Sequence, residues 1–211
     1  MTTQLRKEEH NALQNIELQG RVLDLGGDTR SQYQRLFRGT FSIETLNMDS
    51  KTRPDVIADL EKPLPLNDAS YNGALLINVL EHVFEYRQLL GECARILKPG
   101  GIIVVVVPFI FPYHASPSDF HRYTFETLQR ALSFAGFSQV EVHALGSGVC
   151  AARWTLLQRL LPGPLQFLSL LFGPLAHVFD TMLTALARGT GKKYTPSDYA
   201  LGYVATARKM R

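Results

Sequence analysis

A run of six consecutive apolar residues, Ile102 to Val107 (IIVVVV), limits most strongly what this chain can fold into. Successive side chains of a strand point to opposite faces of a sheet, so an unbroken apolar run needs cover on both faces. Four of the six residues are valine, which favours strands. The run therefore predicts a central strand of a parallel sheet.

The sequence from residue 21 to residue 143 alternates short apolar runs with helical patterns, which is typical of βαβ units. We predict strands at Arg21–Leu25, Phe41–Leu46, Asp55–Ala58, Tyr71–Ile77, Ile102–Val107 and Ser138–His143. We predict helices at Ser31–Arg38, at Val83–Leu97 and, after an N-cap at Thr124, at Phe125–Ala135.

The C-terminal part breaks this alternation, because residues 149–188 are rich in leucine and helical in pattern. A final strand is predicted at Ala200–Ala207, antiparallel beside the preceding strand in the edge region of the sheet. The predicted fold is α/β, a Rossmann-like, doubly wound, mostly parallel sheet of seven strands with an antiparallel final strand. We expect residues 1–211 to form one domain, with a helical insertion at 149–195.

Composition and charge exclude several classes of protein. Of the 211 residues, 45% are hydrophobic, which is enough for a folded core, and the net charge of +3 is too small to indicate nucleic-acid binding. Cys93 and Cys150 lack the spacing of a zinc site or a disulfide framework. Because Met1 to His10 is polar and charged, we expect no secretory signal and a cytoplasmic location, either free or peripheral to the membrane.

One segment, Leu160 to Phe179, has no formal charge if its histidine is neutral, and it approaches the length of a membrane span. Pro162, Pro164 and Pro174 each lack an amide donor, and lipid offers no replacement. We therefore predict short helices joined at these prolines rather than a span. Their leucines need cover, and we expect a membrane surface, a second copy of the chain or a lid pocket to provide it through residues 149–188.

The turn after the first predicted strand reads VLDLGGDT, from Val22 to Thr29. A dinucleotide site needs a glycine where this chain has Asp24, and a carboxylate there would repel a pyrophosphate. The turn would instead suit a cationic, hydroxyl-rich ligand without phosphate, such as S-adenosylmethionine. A buried turn with a purely structural role explains the glycine pair nearly as well.

The motifs along the chain closely resemble those of the class I S-adenosylmethionine-dependent methyltransferases. Five pieces occur in the family's order: VLDLGG at 22–27, LNMD at 46–49, ADLEKPLPLNDASYNGAL at 58–75, NVLEHV at 78–83 and RILKPGGIIVVVVP at 95–108. Two further pieces, DFHRYT at 119–124 and LGYVATARK at 201–209, extend the resemblance. It covers about residues 20–143 and the final strand, and it implies S-adenosyl-L-methionine as the cofactor.

The resemblance also implies which residues bind the cofactor. Asp24, Gly26 and Gly27 match the glycine-rich turn, with Asp24 expected to bind the methionyl ammonium directly or through water. Asp49 matches the acid that accepts the ribose hydroxyls, although the strand could equally end at Asn47. The remaining matches are Asp59 and Leu60, beside the adenine, and Asn78, beside the methionyl group.

The chain departs from the family at Asp28, where another glycine is usual. A carboxylate aimed inward there would oppose the methionyl carboxylate. We interpret Asp28 as an outward-pointing N-cap of the next helix, with Arg30 balancing its charge. The other interpretation is that the cofactor site has been lost.

The loop after the Ile102–Val107 strand carries the candidates for acting on the acceptor. Methyl transfer needs positioning above all, but a base helps when the acceptor is a hydroxyl. We expect His114 to be that base and name His121 as a second catalytic candidate, while Arg122 would hold the loop closed through Asp119 or backbone carbonyls. We expect no metal, because His114, Asp119 and His121 come without another strong ligand.

Nearby, Glu81 and His82 are predicted to begin a helix, where Glu81 favours the helix dipole and His82 is a packed, hydrogen-bonded residue. Together these features predict a methyltransferase that uses S-adenosylmethionine and acts on a small-molecule, saccharide or lipid-linked acceptor. The alternative is a non-catalytic, methyltransferase-like module that binds or assembles with a partner.

Overall fold

The structure, a computed structural model, describes residues 3–27, 32–146, 148–157, 162, 168–190 and 196–210. Its strands are β1 (Glu17–Leu25), β2 (Arg38–Asn47), β3 (Val56–Ile57), β4 (Tyr71–Ile77), β5 (Leu97–Pro108), β6 (Phe137–Leu145) and β7 (Gly202–Lys209). Its α-helices are α1 (Gln4–Leu13), α2 (Tyr86–Ile96), α3 (Phe125–Phe134), α4 (Val149–Leu157) and α5 (Leu168–Gly189). Short 3-10 helices lie at Gln32–Leu36, Ser50–Thr52, Leu80–His82 and Pro196–Tyr199.

The seven strands form one sheet in the order β3-β2-β1-β4-β5-β7-β6, in which β7 alone runs antiparallel to the others. This confirms the predicted α/β fold and its antiparallel final strand. The last strand does pair with β6, but it also pairs with β5, so β6 and not β7 lies at the edge. The physical reason is that β7 is buried on both faces, as an interior strand must be.

The run Ile102–Val107 lies within β5, between β4 and β7. Ile103, Val105 and Val107 pack into the core on the face covered by α2 and α3, whereas Val104 and Val106 pack on the face covered by α1 and α4. Its uninterrupted apolar sequence is therefore explained by cover on both faces, as the sequence predicts. One neighbour of β5 is antiparallel, which the expectation of a parallel environment missed.

Several local predictions differ from the structure. The helix expected at Ser31–Arg38 is a 3-10 helix at Gln32–Leu36, and the helix expected from Val83 begins at Tyr86, after the separate 3-10 turn Leu80–His82. Thr124 caps α3 as predicted, because its hydroxyl accepts a hydrogen bond from the Thr127 backbone N–H.

The leucine-rich segment forms α4 and α5 in its described parts. Pro174 lies within α5, so the helix does not break there; a proline in a helix removes one backbone bond, and the following turns continue regardless. Asp180 of α5 caps α4 by accepting hydrogen bonds from the N–H groups of Cys150 (2.8 Å) and Ala151 (2.9 Å). Among the described helices, none is long and apolar enough to cross a membrane.

Candidate functional site

A cavity of about 820 Å³ opens where β1, β2 and β4 end at their carboxyl termini. This is the edge at which open α/β sheets bind ligands, and the volume falls in the range of small-molecule sites. The described residues that line it are Gly26, Asn47, Met48, Asp49, Thr52, Asp59, Leu60, Glu61, Asn78, Val79, His82, Val83, Ser116, Pro117, Ser118 and Phe120. Six of the eight predicted cofactor residues are thus brought to one cavity.

The other two, Asp24 and Gly27, form the floor of the glycine turn and are not among the lining residues. Asp24 is fully buried, and its carboxylate accepts hydrogen bonds from the hydroxyl of Tyr33 and the side-chain amide of Gln34. A side chain on Gly27 would place Cβ 2.2 Å from Asp24 Oδ2. Gly27 therefore allows the turn to close over Asp24, and Asp24 fixes the turn from beneath.

Gly26 adopts a φ of +80°, a conformation that favours glycine, and a Cβ there would lie 2.6 Å from Val79 Cγ2. Its N–H donates to the carbonyl of Leu46 at the end of β2, at 2.7 Å. Asp28, the departure from the family pattern, lies outside the described residues.

Asn47 and Asp49 both line the cavity, but they have different roles in the structure. The Asn47 amide donates to the carbonyls of Gly26 (3.0 Å) and Gly27 (3.3 Å), and its oxygen accepts the Asp49 N–H (3.0 Å). Asn47 thereby ties the end of β2 to the glycine turn. Asp49 uses one oxygen to cap the following 3-10 turn through Lys51 N–H, at 2.9 Å, and supplies the carboxylate at this point of the wall.

Asp59 and Leu60 form the neighbouring wall. The Glu61 N–H donates to Asp59 Oδ1 at 3.0 Å, and this hydrogen bond is the largest cause that lowers the pKa of Asp59. Asn78, directly after β4, has a φ of +54°, and it hydrogen-bonds the buried side chain of Glu9 from α1. Asp59 is therefore held in its ionised form, and Asn78 is fixed by Glu9 and by its own N–H, which donates to the carbonyl of Val106 at 2.8 Å.

The charged side chains among the described lining residues are acidic. Three carboxylates, those of Asp49, Asp59 and Glu61, line the cavity, whereas none of the described lining residues is a lysine or arginine. Such a wall opposes phosphate groups and favours a cation that carries hydroxyl groups. S-adenosylmethionine, with a sulfonium, an ammonium and a ribose diol, fits this donor set; a nucleoside diphosphate does not.

The loop after β5 is clamped by an ion pair. Arg122 binds both oxygens of Asp119, at 2.5 and 2.8 Å, and it also donates to the carbonyls of Pro112 and His121. Arg122 therefore has the loop-holding role that the sequence predicts. The guanidinium holds the pKa of Asp119 well below its usual range. Because the N–H groups of Phe120 and His121 both donate to the carbonyl of Glu81, the loop is also fixed to the turn after β4.

The two catalytic candidates lie in different surroundings, and neither is among the lining residues. His121 packs among Phe84, Tyr86 and Tyr123, and its Nε2 contacts the carbonyl of Phe84 at 3.2 Å. His114 Nε2 lies 3.6 Å from Glu81 Oε1, and burial lowers the pKa of the His114 ring.

Sequence reasoning missed the position of Glu81. The residue is fully buried in the 3-10 turn Leu80–His82, whereas the sequence predicts it at the start of a helix. His82 is packed and hydrogen-bonded, as predicted, through contact of Nδ1 with the carbonyl of Ser118. The signal in the sequence was the apolar context of NVLEHV, in which the Glu81 carboxylate comes four residues after the end of a buried strand.

The known proteins that this chain resembles are consistent with the chemistry of the cavity. Residues 34–105 match a family model described as a methyltransferase domain. That match spans the cavity residues from Asn47 to Val83, but neither the glycine turn nor the loop after β5.

Two curated relatives are also methyltransferases by name. An S-adenosylmethionine-dependent methyltransferase from Mycolicibacterium smegmatis (strain ATCC 700084 / mc(2)155) is 42% identical over 45 residues, which are 21% of this chain and 18% of that protein. A demethylmenaquinone methyltransferase from Paenarthrobacter aurescens (strain TC1) is 35% identical over 94 residues, 44% of this chain and 36% of that protein. The matches thus span less than two fifths of either relative.

A solved structure shares the fold at low sequence identity. The [4+2]-cyclase SpnF superimposes with a TM-score of 0.61 over 98% of this chain and 80% of that chain, at 18% identity. That identity supports the fold alone.

Proposed function

We propose that this chain is a class I S-adenosylmethionine-dependent methyltransferase and that it transfers a methyl group to a small-molecule, saccharide or lipid-linked acceptor. The observation that carries the proposal is the acidic wall of the cavity at the carboxyl edge of the sheet. When bound, S-adenosylmethionine supplies an electrophilic methyl group on a cationic sulfur. The chain's own residues then need to bind, orient and shield the reacting groups.

In this proposal the Asp49 carboxylate accepts hydrogen bonds from the ribose hydroxyls, and Asp59 and Leu60 contact the adenine. Asn78 and the glycine turn hold the methionyl end. Asp24 acts from beneath the turn, because both of its oxygens already accept hydrogen bonds. We therefore assign Asp24 a positioning role and keep its contact with the ammonium as a prediction.

The acceptor end is formed by the loop after β5, where Ser116, Ser118 and Phe120 line the cavity. Between the two catalytic candidates, His114 is the stronger, because its Nε2 faces a carboxylate whereas His121 Nε2 contacts a backbone carbonyl. His121 is proposed to position the loop through its ring contacts. The relative from Paenarthrobacter aurescens is named for demethylmenaquinone. A screen of candidate acceptors should therefore include quinone-like compounds as well as glycolipids.

The proposed partner surface at 149–188 includes an exposed apolar face on α5. Six apolar side chains at helical spacing are exposed, namely Leu175, Val178, Phe179, Met182, Leu183 and Leu186. We propose that a second copy or a membrane surface covers this face. Light scattering and liposome flotation separate the two: a dimer that ignores liposomes supports the first, a monomer that floats supports the second, and a monomer that does not float contradicts both.

The function is tested with S-adenosylhomocysteine, the product of the proposed reaction. We expect it to raise the thermal midpoint, because a ligand at 100 times its Kd stabilises the folded state by about 2.7 kcal/mol. Asp49→Ala is expected to weaken the shift, whereas Glu141→Ala, at an exposed carboxylate on the edge strand, is not. No shift at millimolar ligand would favour the non-catalytic module.

A further inference from the structure

Three side chains from two separate segments meet beside the cavity. Glu81 and His82 come from the turn after β4, and His114 comes from the loop after β5. Glu81 Oε1 lies 3.7 Å from His82 Nε2 and 3.6 Å from His114 Nε2. One ligand atom from each of the three residues lies within 4.8 Å of the others.

The hydrogen bonds of both rings fix which nitrogen carries the proton. His82 Nδ1 contacts the carbonyl of Ser118 at 2.5 Å. His114 Nδ1 lies 3.2 Å from the carbonyl of Pro112 and 3.3 Å from Asp119 Oδ2. Because these neighbours can only accept, Nδ1 is the donor in each ring, and in a neutral ring Nε2 presents a lone pair. Both lone pairs then face the same carboxylate oxygen.

Glu81 is the third member of the cluster. Its side chain is fully buried, and neither carboxylate oxygen has a hydrogen-bond partner among the described residues. A buried group of this kind needs a proton or a cation at its oxygens.

We propose that Glu81, His82 and His114 bind one divalent transition-metal ion of the Zn²⁺ class. Tetrahedral ligands at bond lengths of ~2.0–2.1 Å lie about 3.3 Å apart. The two distances from Glu81 Oε1 need only a few tenths of an ångström of adjustment to reach this separation, and the two histidine ligand atoms start from at most 4.8 Å. Metal-bound histidines usually donate the other ring N–H to a carbonyl or carboxylate, as both rings do here. Two imidazoles and one carboxylate favour zinc, cobalt or nickel over magnesium.

Three protein ligands leave a fourth position open, which is the pattern of zinc sites that act on a substrate. Since His82 also lines the cavity, an oxygen atom of the acceptor is the natural fourth ligand, and this step rests on the proposed function. Metal binding would change the role of His114 from base to ligand. It would also replace the expectation of no metal, which considered only His114, Asp119 and His121.

The test measures metal retention by the full chain, purified without an affinity tag and stripped with a chelator. After incubation with Zn²⁺ and gel filtration, we expect mass spectrometry of the eluted protein to find about one zinc per chain. Co²⁺ alone should produce visible absorption typical of a four-coordinate ion. Mg²⁺ at the same concentration should not be retained.

Glu81→Gln and His114→Ala should each lower zinc affinity at least tenfold, since each removes a ligand. Glu81→Gln preserves the side-chain shape and the backbone carbonyl that the loop binds, and His114 is partly exposed, so both variants are expected to keep their circular dichroism spectra. His143→Ala, at an exposed histidine of β6, is the control and should retain zinc. A wild type that retains no zinc, or folded variants that retain as much as wild type, would overturn the site. Zinc retention without any binding of S-adenosylhomocysteine would leave the site standing and remove the proposed function.

Discussion

Replacing Gly27 by alanine tests whether the glycine turn is built around the buried carboxylate of Asp24. The added Cβ would lie 2.2 Å from Asp24 Oδ2, so atoms must move by about 1.2 Å to reach an ordinary contact of 3.4 Å. The carboxylate is held by Tyr33 and by Gln34, whose amide nitrogen lies 2.7 Å away. Losing one hydrogen bond to a charged group costs about 1.5–3 kcal/mol, and overpacking costs about 1–3 kcal/mol. We expect a total destabilisation of about 2.5–6 kcal/mol.

The matched control is Gly91→Ala, because Gly91 lies on the exposed side of α2 with nothing within 4 Å of its added Cβ. Alanine there should stabilise the protein by about 0.5–1 kcal/mol. For a chain of this size the midpoint should fall by about 5–24 °C for Gly27→Ala and rise by about 1–4 °C for Gly91→Ala in a calorimetric scan. The first variant should also bind S-adenosylhomocysteine at least tenfold more weakly. A Gly27→Ala protein that melts and binds like the wild type would show that the turn is not packed tightly against Asp24.

Three further changes test other parts of the structure. Asp180→Asn should cost about 1 kcal/mol in urea unfolding, because the charge that caps α4 is lost. The Arg95 guanidinium lowers the pKa of Glu92, so the stability from this carboxylate is complete above the ordinary glutamate pKa of about 4.3 and is lost as pH falls below it. The destabilisation caused by Glu92→Gln should therefore be constant from pH 7 to pH 6 and shrink towards pH 3, and an undiminished difference at pH 3 would contradict this. Arg122→Lys keeps the charge but loses the paired hydrogen bonds to Asp119, so the acceptor KM should rise while binding of S-adenosylhomocysteine changes less than twofold.

Strands of the sheet could be predicted from the sequence wherever their burial requires a recognisable pattern of apolar residues. The run Ile102–Val107 identifies β5 because both of its faces are covered, and Thr124 identifies the start of α3 because capping is a local interaction. The place of β7 between β5 and β6 could not be predicted, because strand order depends on which edges meet after the helices have packed. The passage of α5 through Pro174 depends on the neighbouring turns in the same way.

In the candidate site too, the sequence predicts which residues come together but not the contacts that they make. Asp49 and Asn47 line one cavity because both lie at the carboxyl end of β2, which the sequence predicts. Their separate roles depend on the two hydrogen bonds that the Asn47 amide donates to the glycine turn. Asp24 is identified by its motif, yet its burial depends on Tyr33 and Gln34, which no motif includes. Glu81 and His114 are 33 residues apart, and they meet only because β4 and β5 are neighbouring strands.

The acidic cavity is proposed to bind a cationic, phosphate-free nucleoside cofactor. Isothermal titration of the full chain with S-adenosylmethionine, S-adenosylhomocysteine and NAD⁺ tests it most directly. We expect one site per chain for the first two ligands, at least tenfold weaker binding of each to Asp49→Ala, and no measurable heat with NAD⁺. Binding of NAD⁺ as tight as that of S-adenosylmethionine, or no binding of either sulfur ligand at millimolar concentration, would contradict it.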